Sequence, residues 1–202
     1  MPGHQETEKR AVLSRSQYNA ILKRLSLEAT YEGKKRITES YYYYKNGRST
    51  KSILNDIRMD EVGDYSLRLR EEATGNKVER TLNLKVITAY GDHSSWQERE
   101  VPIRSLGEMD YILKAIGFCI FLSVKKTRQA FRFKGASVLL EDIKGFGPAI
   151  EAEIITTKKG AEAAKLELKA LFMELGIPEK QIVPKSITNI LVQREAKRMG
   201  SA

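Results

Sequence analysis

The residues with the clearest capacity for chemistry are Glu151 and Glu153, in the stretch Ile143-Lys-Gly-Phe-Gly-Pro-Ala-Ile-Glu-Ala-Glu-Ile-Ile155. The stretch reads as a Gly/Pro turn followed by a strand. Alternate strand residues share a face, so both carboxylates point one way while Ile150, Ala152 and Ile154 point the other. Like charges on one sheet face repel. A cation must therefore sit in front of them, either a basic side chain or a divalent metal, for which carboxylate oxygens are the natural shell. The same spacing of two recurs at Glu6, Glu8 and Arg10, at Arg68 and Arg70, at Glu98 and Glu100, and at Lys126 and Arg128. A single pair is the ordinary wet side of a half-exposed strand. Acidic and basic pairs together predict one charged interior that both signs face.

The elements that would position these pairs follow from patterning. Strands are expected from Glu6 to Leu13, Thr38 to Lys45, Tyr65 to Glu71, Lys77 to Ile87, Trp96 to Ile103, Phe118 to Phe133 and Val138 to Ile143, then in the stretch above. Turns are read at Asn46-Gly47 and Gly75-Asn76, and 48–62 as a polar loop. Helices are expected after Ser14 or Ser16, around Met109 to Ile116, from Thr156 or Thr157 to Leu175, and from Ser186 to Gln193, with Arg194 to Arg198 as a solvated basic tail. Tyr41 to Tyr44 would place aromatic rings on both faces of their strand. Such rings can stack on bases, but packing with phenol hydrogen bonds is the better expectation. The fold class is α+β: a closed antiparallel barrel of about eight strands with helices packed outside, its lumen open to a ligand. We read residues 1–202 as one domain.

Composition narrows the classes. The chain has 202 residues, 41% hydrophobic and 30% charged, which is ordinary globular composition. Net charge is +9, with 35 Lys and Arg against 26 Asp and Glu, which favours an anionic partner. No apolar run approaches the roughly 18 residues needed to cross a bilayer. Met-Pro-Gly-His-Gln at the N-terminus lacks the apolar core of a signal peptide. The single cysteine, Cys119, permits no internal disulfide and reads as a small buried hydrophobe. A cytoplasmic protein with no membrane partner is expected. Two histidines and one cysteine do not support a zinc site. There is no Gly-x-x-x-x-Gly-Lys-[Ser/Thr] or Gly-x-Gly-x-x-Gly phosphate loop. If phosphate is bound, Arg68, Arg70, Lys85, Lys126, Arg128 and Arg132 would grip it, arginine by bidentate contacts and lysine as a point charge. The carboxylates would hold a metal bridging to phosphate oxygens.

The motifs in order are Glu-x-Glu-x-Arg, Leu-Arg-Leu-Arg, Leu-Asn-Leu-Lys, Glu-Arg-Glu, Lys-Thr-Arg and Gly-Phe-Gly-x-x-x-Glu-x-Glu. Together they resemble the CYTH family, the triphosphate tunnel metalloenzymes, over about residues 5 to 192. That family includes class IV adenylyl cyclases, thiamine triphosphatases and inorganic triphosphatases. The resemblance implies a tunnel enzyme using Mg²⁺ or Mn²⁺. It implies metal ligation by Glu6, Glu8, Glu151 and Glu153, with Glu98, Glu100 and Glu141 as further acidic positions. Asp142 competes with Glu141, and alternation does not choose between them. The phosphate-binding residues implied are Arg68, Arg70, Lys85, Lys126 and Arg128. The catalytic candidates are Arg10 and Lys85.

The first motif departs from the family at its end, where Arg10 stands in place of Lys. Arginine cannot give up its proton as a base would. Lys9 is adjacent but alternation turns it away. A second departure is Tyr-Tyr-Tyr-Lys, at 42–45, where the family often has Tyr-Tyr-Asp. Three functions are expected to compete. They are hydrolysis of an organic or inorganic triphosphate, cyclisation of ATP to cyclic AMP and pyrophosphate by a class IV cyclase, and binding of nucleotide or polyphosphate without turnover. Ile116-Gly-Phe and Leu175-Gly-Ile resemble the cyclase branch, while the absence of a His-Phe pair before Glu6 argues for hydrolysis. The implied partner is a small triphosphate (ATP, thiamine triphosphate or tripolyphosphate) rather than nucleic acid. The oligomeric state is open, a homodimer included.

Overall fold

The computed structural model describes residues 4–47, 63–87, 96–157, 160–184 and 186–200, with the side chains of 4–6, 87, 96, 196, 199 and 200 outside that description. The loop read at 48–62 and the side chains of Glu6 and Trp96 therefore lie outside the described residues. The strands are β1 (His4–Val12), β2 (Thr30–Tyr44), β3 (Tyr65–Thr74), β4 (Lys77–Ile87), β5 (Trp96–Pro102), β6 (Phe118–Phe133), β7 (Ala136–Ile143), β8 (Gly147–Thr157) and β9 (Ile182–Val183). The α-helices among the described residues are α1 (Arg15–Glu28), α2 (Leu106–Ala115), α3 (Ala161–Glu174) and α4 (Ile187–Gly200).

The class is α+β, with a nine-stranded antiparallel sheet in the hydrogen-bond order β5-β4-β3-β2-β6-β7-β8-β1-β9. Among the described residues no hydrogen bonds join β5 to β9, so strand pairing does not close the barrel expected from the sequence. The chain forms two compact units: residues 1–35 with 126–187, and residues 36–125 with 188–202.

In the first unit the alternation of β7 and β8 decides everything. Val138 and Leu140 of β7 and Ile150 and Ala152 of β8 are fully buried on one face. They pack with Tyr18, Ile21 and Leu25 of α1 and Leu168, Leu171 and Phe172 of α3 in a single core. The residues between them necessarily turn to the other face. Helix α1 starts where the sequence predicts, capped by Ser14, whose hydroxyl accepts from Gln17 N–H while the Gln17 side chain returns to Ser14 N–H. This reciprocal pair fixes the β1–α1 corner.

In the second unit β3 and β4 form the expected hairpin around Gly75-Asn76. Leu67 and Leu69 face a core with Tyr42 and Leu113, against which Leu82, Leu84, Leu106 and Met109 pack. Helix α2 is capped by Ser105 and ends before Gly117, whose φ of 99° suits only glycine.

The structure corrects several element expectations. Strand β2 begins at Thr30, eight residues before the predicted start, because its first half is polar and exposed and carries no alternation. Strand β8 runs through Thr156 and Thr157, so neither threonine caps α3; Gly160 occupies the cap without a side-chain bond. The basic segment Arg194 to Arg198 is helical, part of α4 rather than a tail. The short β9 was not legible in the sequence.

Candidate functional site

The register of the first unit builds a charged face row by row. Glu8 of β1 lies directly opposite Glu153 of β8, and Arg10 directly opposite Glu151. Parity then places Glu141 of β7 and Arg128 of β6, themselves direct partners, on this same face. Arg10, 9% exposed, spans two carboxylates: its Nε donates to Glu151 Oε2 at 2.9 Å and its Nη2 pairs with Glu8 Oε1. Further along, Glu141 is buried and receives both neighbouring cations on one oxygen. Lys126 Nζ is 3.0 Å from Oε1 and Arg128 Nη2 2.6 Å, with Arg128 Nε at 2.8 Å. Burial pushes the Glu141 carboxyl up, but the charges and hydrogen bonds of Lys126 and Arg128 outweigh it, and the group sits below the usual carboxylate range.

Glu141 and Asp142 face different partners. Asp142 turns to the opposite side, where Arg15 holds it bidentately at 2.8 Å and lowers its carboxyl pKa. Arg132 stands apart from the Glu141 cluster, half-exposed and paired with Glu32 at 3.2 Å.

The second unit has its own charged face. Its rows, read across β2, β3, β4 and β5, are Glu39–Arg70–Thr81–Pro102, then Tyr41–Arg68–Asn83–Glu100, then Ser66–Lys85–Glu98 from β3 onward. Cations fill the middle strands and carboxylates the flanks. Glu39, 1% exposed, takes Arg70 at 2.6 and 2.8 Å and Arg68 at 3.3 Å. Tyr41 Oη accepts from Arg68 at 3.4 Å, donates to Glu39 at 3.1 Å and lies 3.2 Å from Thr188 Oγ1 of α4. Burial works against the Arg68 guanidinium, but Tyr41 and Glu39 raise its pKa above the ordinary value. Lys85 Nζ is 3.0 Å from Glu98, and fully buried Asn83 donates to Glu98 at 2.7 Å and to Glu100 at 3.0 Å. Burial raises the Glu98 carboxyl, while Asn83 and Lys85 pull it lower, with the net shift downward. Among the described residues, three buried polar atoms on this face find no hydrogen-bond partner: Arg68 Nε, Thr81 Oγ1 and Asn83 Oδ1.

The predicted residues thus gather in two sets. Glu8, Arg10, Lys126, Arg128, Glu141, Glu151 and Glu153 share the first unit's face; Arg68, Arg70, Lys85, Glu98 and Glu100 share the second's. Sequence reasoning missed Glu39, which anchors the second set. Its signal was present: Glu39 stands two residues before Tyr41, on the face that pairing with β3 turns toward the arginines. Asn83, the asparagine of the Leu-Asn-Leu-Lys motif, was given no role. The tyrosine run packs inward at Tyr41 and Tyr42 only; Tyr43 is half-buried and Tyr44 exposed. Tyr41 and Tyr42 are 2% exposed, Tyr43 stacks on Tyr65 at 5.6 Å, and Tyr42 donates to Asp110 at 2.7 Å.

Among the described residues, no group of at least three His, Cys, Asp or Glu side chains is arranged to hold a metal ion. The donor set nonetheless fits a hard divalent cation. Glu8 and Glu153 are direct cross-strand partners, and Mg²⁺ commonly uses one or two carboxylates and completes its shell with water and substrate phosphate.

Sheet, register and strand-borne ion pairs define a class of protein that carries its charged groups on β-strands, with no phosphate-binding loop. The chain belongs to the CYTH family: the CYTH domain model matches residues 4–187. That family acts on triphosphates, and its triphosphate tunnel metalloenzymes are divalent-metal dependent in general. No curated protein matches the chain. Solved structures share the fold. The PH1819 protein of Pyrococcus horikoshii OT3 has a TM-score of 0.72 at 23% identity, covering 94% of this chain and 99% of its own. A Vibrio parahaemolyticus protein assigned as an adenylate cyclase has a TM-score of 0.66 at 18% identity, covering 94% and 98%. The Hippeastrum protein HpAC1, assigned as an adenylyl cyclase and described as having a dominant triphosphatase activity, has a TM-score of 0.64 at 18% identity, covering 93% and 94%.

Proposed function

We propose that this chain is a divalent-metal-dependent triphosphatase, hydrolysing an organic or inorganic triphosphate, with residues 1–202 acting as one tunnel domain. The observation that carries the proposal is the pairing of cations by buried carboxylates on both faces: Arg68 and Arg70 on Glu39, Lys126 and Arg128 on Glu141. Guanidinium and ammonium groups held in place beforehand lose little freedom when phosphate arrives and cost little reorganisation. Arg68, Arg70, Lys85, Lys126 and Arg128 bind the phosphate oxygens, with Arg132 at the periphery. Glu6, Glu8, Glu151 and Glu153 are the residues that would hold the metal. A bound Mg²⁺ or Mn²⁺ would screen the phosphate charge and orient the chain of phosphates.

Water attacks the terminal phosphorus. The bridging oxygen leaves with its electron pair on the diphosphate; one proton of the water passes to solvent and the other stays on the released phosphate. Phosphoryl transfer of this kind needs chiefly positioning and charge stabilisation. Arg10 contributes charge rather than proton transfer, since its guanidinium stays protonated. Glu98 orients Lys85 and, with Glu100, Asn83.

The dominant triphosphatase activity described for HpAC1 supports hydrolysis. A second reading, conversion of ATP to cyclic AMP and pyrophosphate, draws on fold neighbours assigned as adenylate cyclases. The test is a panel of tripolyphosphate, ATP and thiamine triphosphate with Mg²⁺, Mn²⁺ or chelator. Ion-dependent phosphate release from any of them, lost in Glu153→Gln, is expected. Cyclic AMP with pyrophosphate would replace the proposal by the cyclase reading, and tight binding without products by a non-catalytic binder.

A further inference from the structure

The ion pairs of the second unit's charged face leave some polar atoms over. Arg68 of β3 lies directly opposite Asn83 of β4, and Arg70 directly opposite Thr81. Thr81 and Asn83 stand two apart on one strand, so they share a face with both arginines. Arg68 commits its outer nitrogens to Tyr41, Glu39 and Glu98. Among the described residues its Nε, Thr81 Oγ1 and Asn83 Oδ1 are buried and find no partner. The Asn83 amide has one orientation. Its Nδ2 donates to Glu98 at 2.7 Å and to Glu100 at 3.0 Å, and the reverse orientation would set an oxygen against two carboxylates. Oδ1 is thus a fixed acceptor on a fully buried side chain. Unmet buried polar atoms are costly, and three in adjacent rows of one face mark a place where a guest completes the bonding.

The atoms are of mixed kind. Arg68 Nε only donates, Asn83 Oδ1 only accepts, and the Thr81 hydroxyl does either. An ionised phosphate offers acceptors alone; it suits the arginines and leaves Asn83 Oδ1 unmet. A hydroxyl satisfies the whole set: it accepts from Arg68 Nε and Thr81 and donates its one hydrogen to Asn83.

We infer that Arg68 Nε, Thr81 and Asn83 form a hydroxyl-reading subsite beside the phosphate-binding cations, and that the substrate is the triphosphate ester of a hydroxyl-bearing sugar, a nucleoside triphosphate, rather than tripolyphosphate or thiamine triphosphate. The inference rests on the triphosphate reading above and narrows its substrate class. Asn83 and Thr81 are specificity-determining residues, and Glu98 and Glu100 are positioning residues that aim the Asn83 amide. The atoms are buried in the free chain, so the subsite opens as phosphate engages Arg68 and moves its guanidinium.

The experiment compares ATP, 2′,3′-dideoxy-ATP and tripolyphosphate on the full chain, by calorimetry with chelator present and then by kcat/KM with Mg²⁺. Wild type is expected to favour ATP over the dideoxy analogue by about 10-fold, the discrimination that a buried, well-matched hydroxyl gives. Thr81→Val and Asn83→Leu should each cut that preference to within about twofold and leave tripolyphosphate affinity within about twofold. Thr81→Val is the sharper probe, because it removes a hydroxyl and keeps the shape; urea denaturation in parallel reports its fold. Should Asn83→Leu fail to fold, Thr81→Val alone decides. A wild-type preference below about twofold, or a full preference kept in Thr81→Val, overturns the inference. Equal losses on ATP and tripolyphosphate also overturn it, since they assign these groups to the phosphates or to the attacking water. A hydroxyl preference in binding with no phosphate released from any substrate keeps the subsite and removes the hydrolase reading. Phosphate release without that preference does the reverse.

Discussion

Glu39 shows how much one residue can carry. It is the buried counter-charge for both Arg68 and Arg70, whose side chains are 12% and 15% exposed. Removing one partner of such a cluster leaves uncompensated charge in a poorly solvated place, which typically costs about 3–5 kcal/mol. Glu39→Ala is therefore expected to lower the free energy of unfolding by about that amount, measured by urea denaturation. A loss below about 1 kcal/mol, typical of exposed pairs, would show that the arginines find other partners. Thr81 on the same face predicts the opposite sign. Its hydroxyl oxygen is buried and has no partner among the described residues, and a buried unsatisfied polar group costs about 1–3 kcal/mol. Thr81→Val keeps the shape and removes that cost, so a gain of about 1 kcal/mol is expected in the same denaturation experiment.

At the scale of elements, spacing of two was a strong signal and chain termini of elements a weak one. Lys77–Ile87 and Tyr65 as strand starts were legible because leucines alternate cleanly with polar residues. The first half of β2 was not, because an exposed strand buries neither face and so writes no pattern. The helical Arg194–Arg198 segment was misread for a related reason: its charges hide the apolar positions Leu191 and Val192 that begin the turn before it. The partners of the charged pairs were legible by sign but not by address. Alternation assigns a face, yet only register tells that Glu39 meets Arg70 and Glu141 meets Arg128. One turn offers a direct test. Gly117 has φ of 99°, and a Cβ there would stand 2.8 Å from Tyr44 Cε2. Gly117→Ala should destabilise the chain by more than about 1 kcal/mol, since the backbone is unsuited to an L side chain and the ring must also move. A thermal midpoint unchanged from wild type would mean that the corner relaxes freely.

For the molecule as a whole, the distribution of carboxylates sets how stability responds to acid. Glu141, Glu98, Asp110 and Asp142 all hold their carboxyls below ordinary values in the folded chain. For the two glutamates burial pushes upward and is outweighed by neighbouring cations and hydrogen-bond donors. Lys114 and Tyr42 do the same for Asp110, and Arg15 dominates for Asp142. In the unfolded chain such groups titrate near about 4.3 for Glu and 3.9 for Asp. Between those values and the lower folded ones the unfolded chain binds more protons, so stability must fall as pH falls. These groups contribute fully above about pH 4.3 and lose their contribution as pH drops through the folded values. With only two histidines in the sequence, little change is expected between about pH 5.5 and 8. The urea midpoint measured from pH 7 to pH 2.5 should be flat and then drop below about pH 4.3. Glu141→Gln should lower the neutral plateau and make the acid limb shallower, because the group whose protonation drove part of it is gone. An acid limb of wild-type steepness in Glu141→Gln would assign the loss to the other carboxylates and detach Lys126 and Arg128 from Glu141 as an energetic unit.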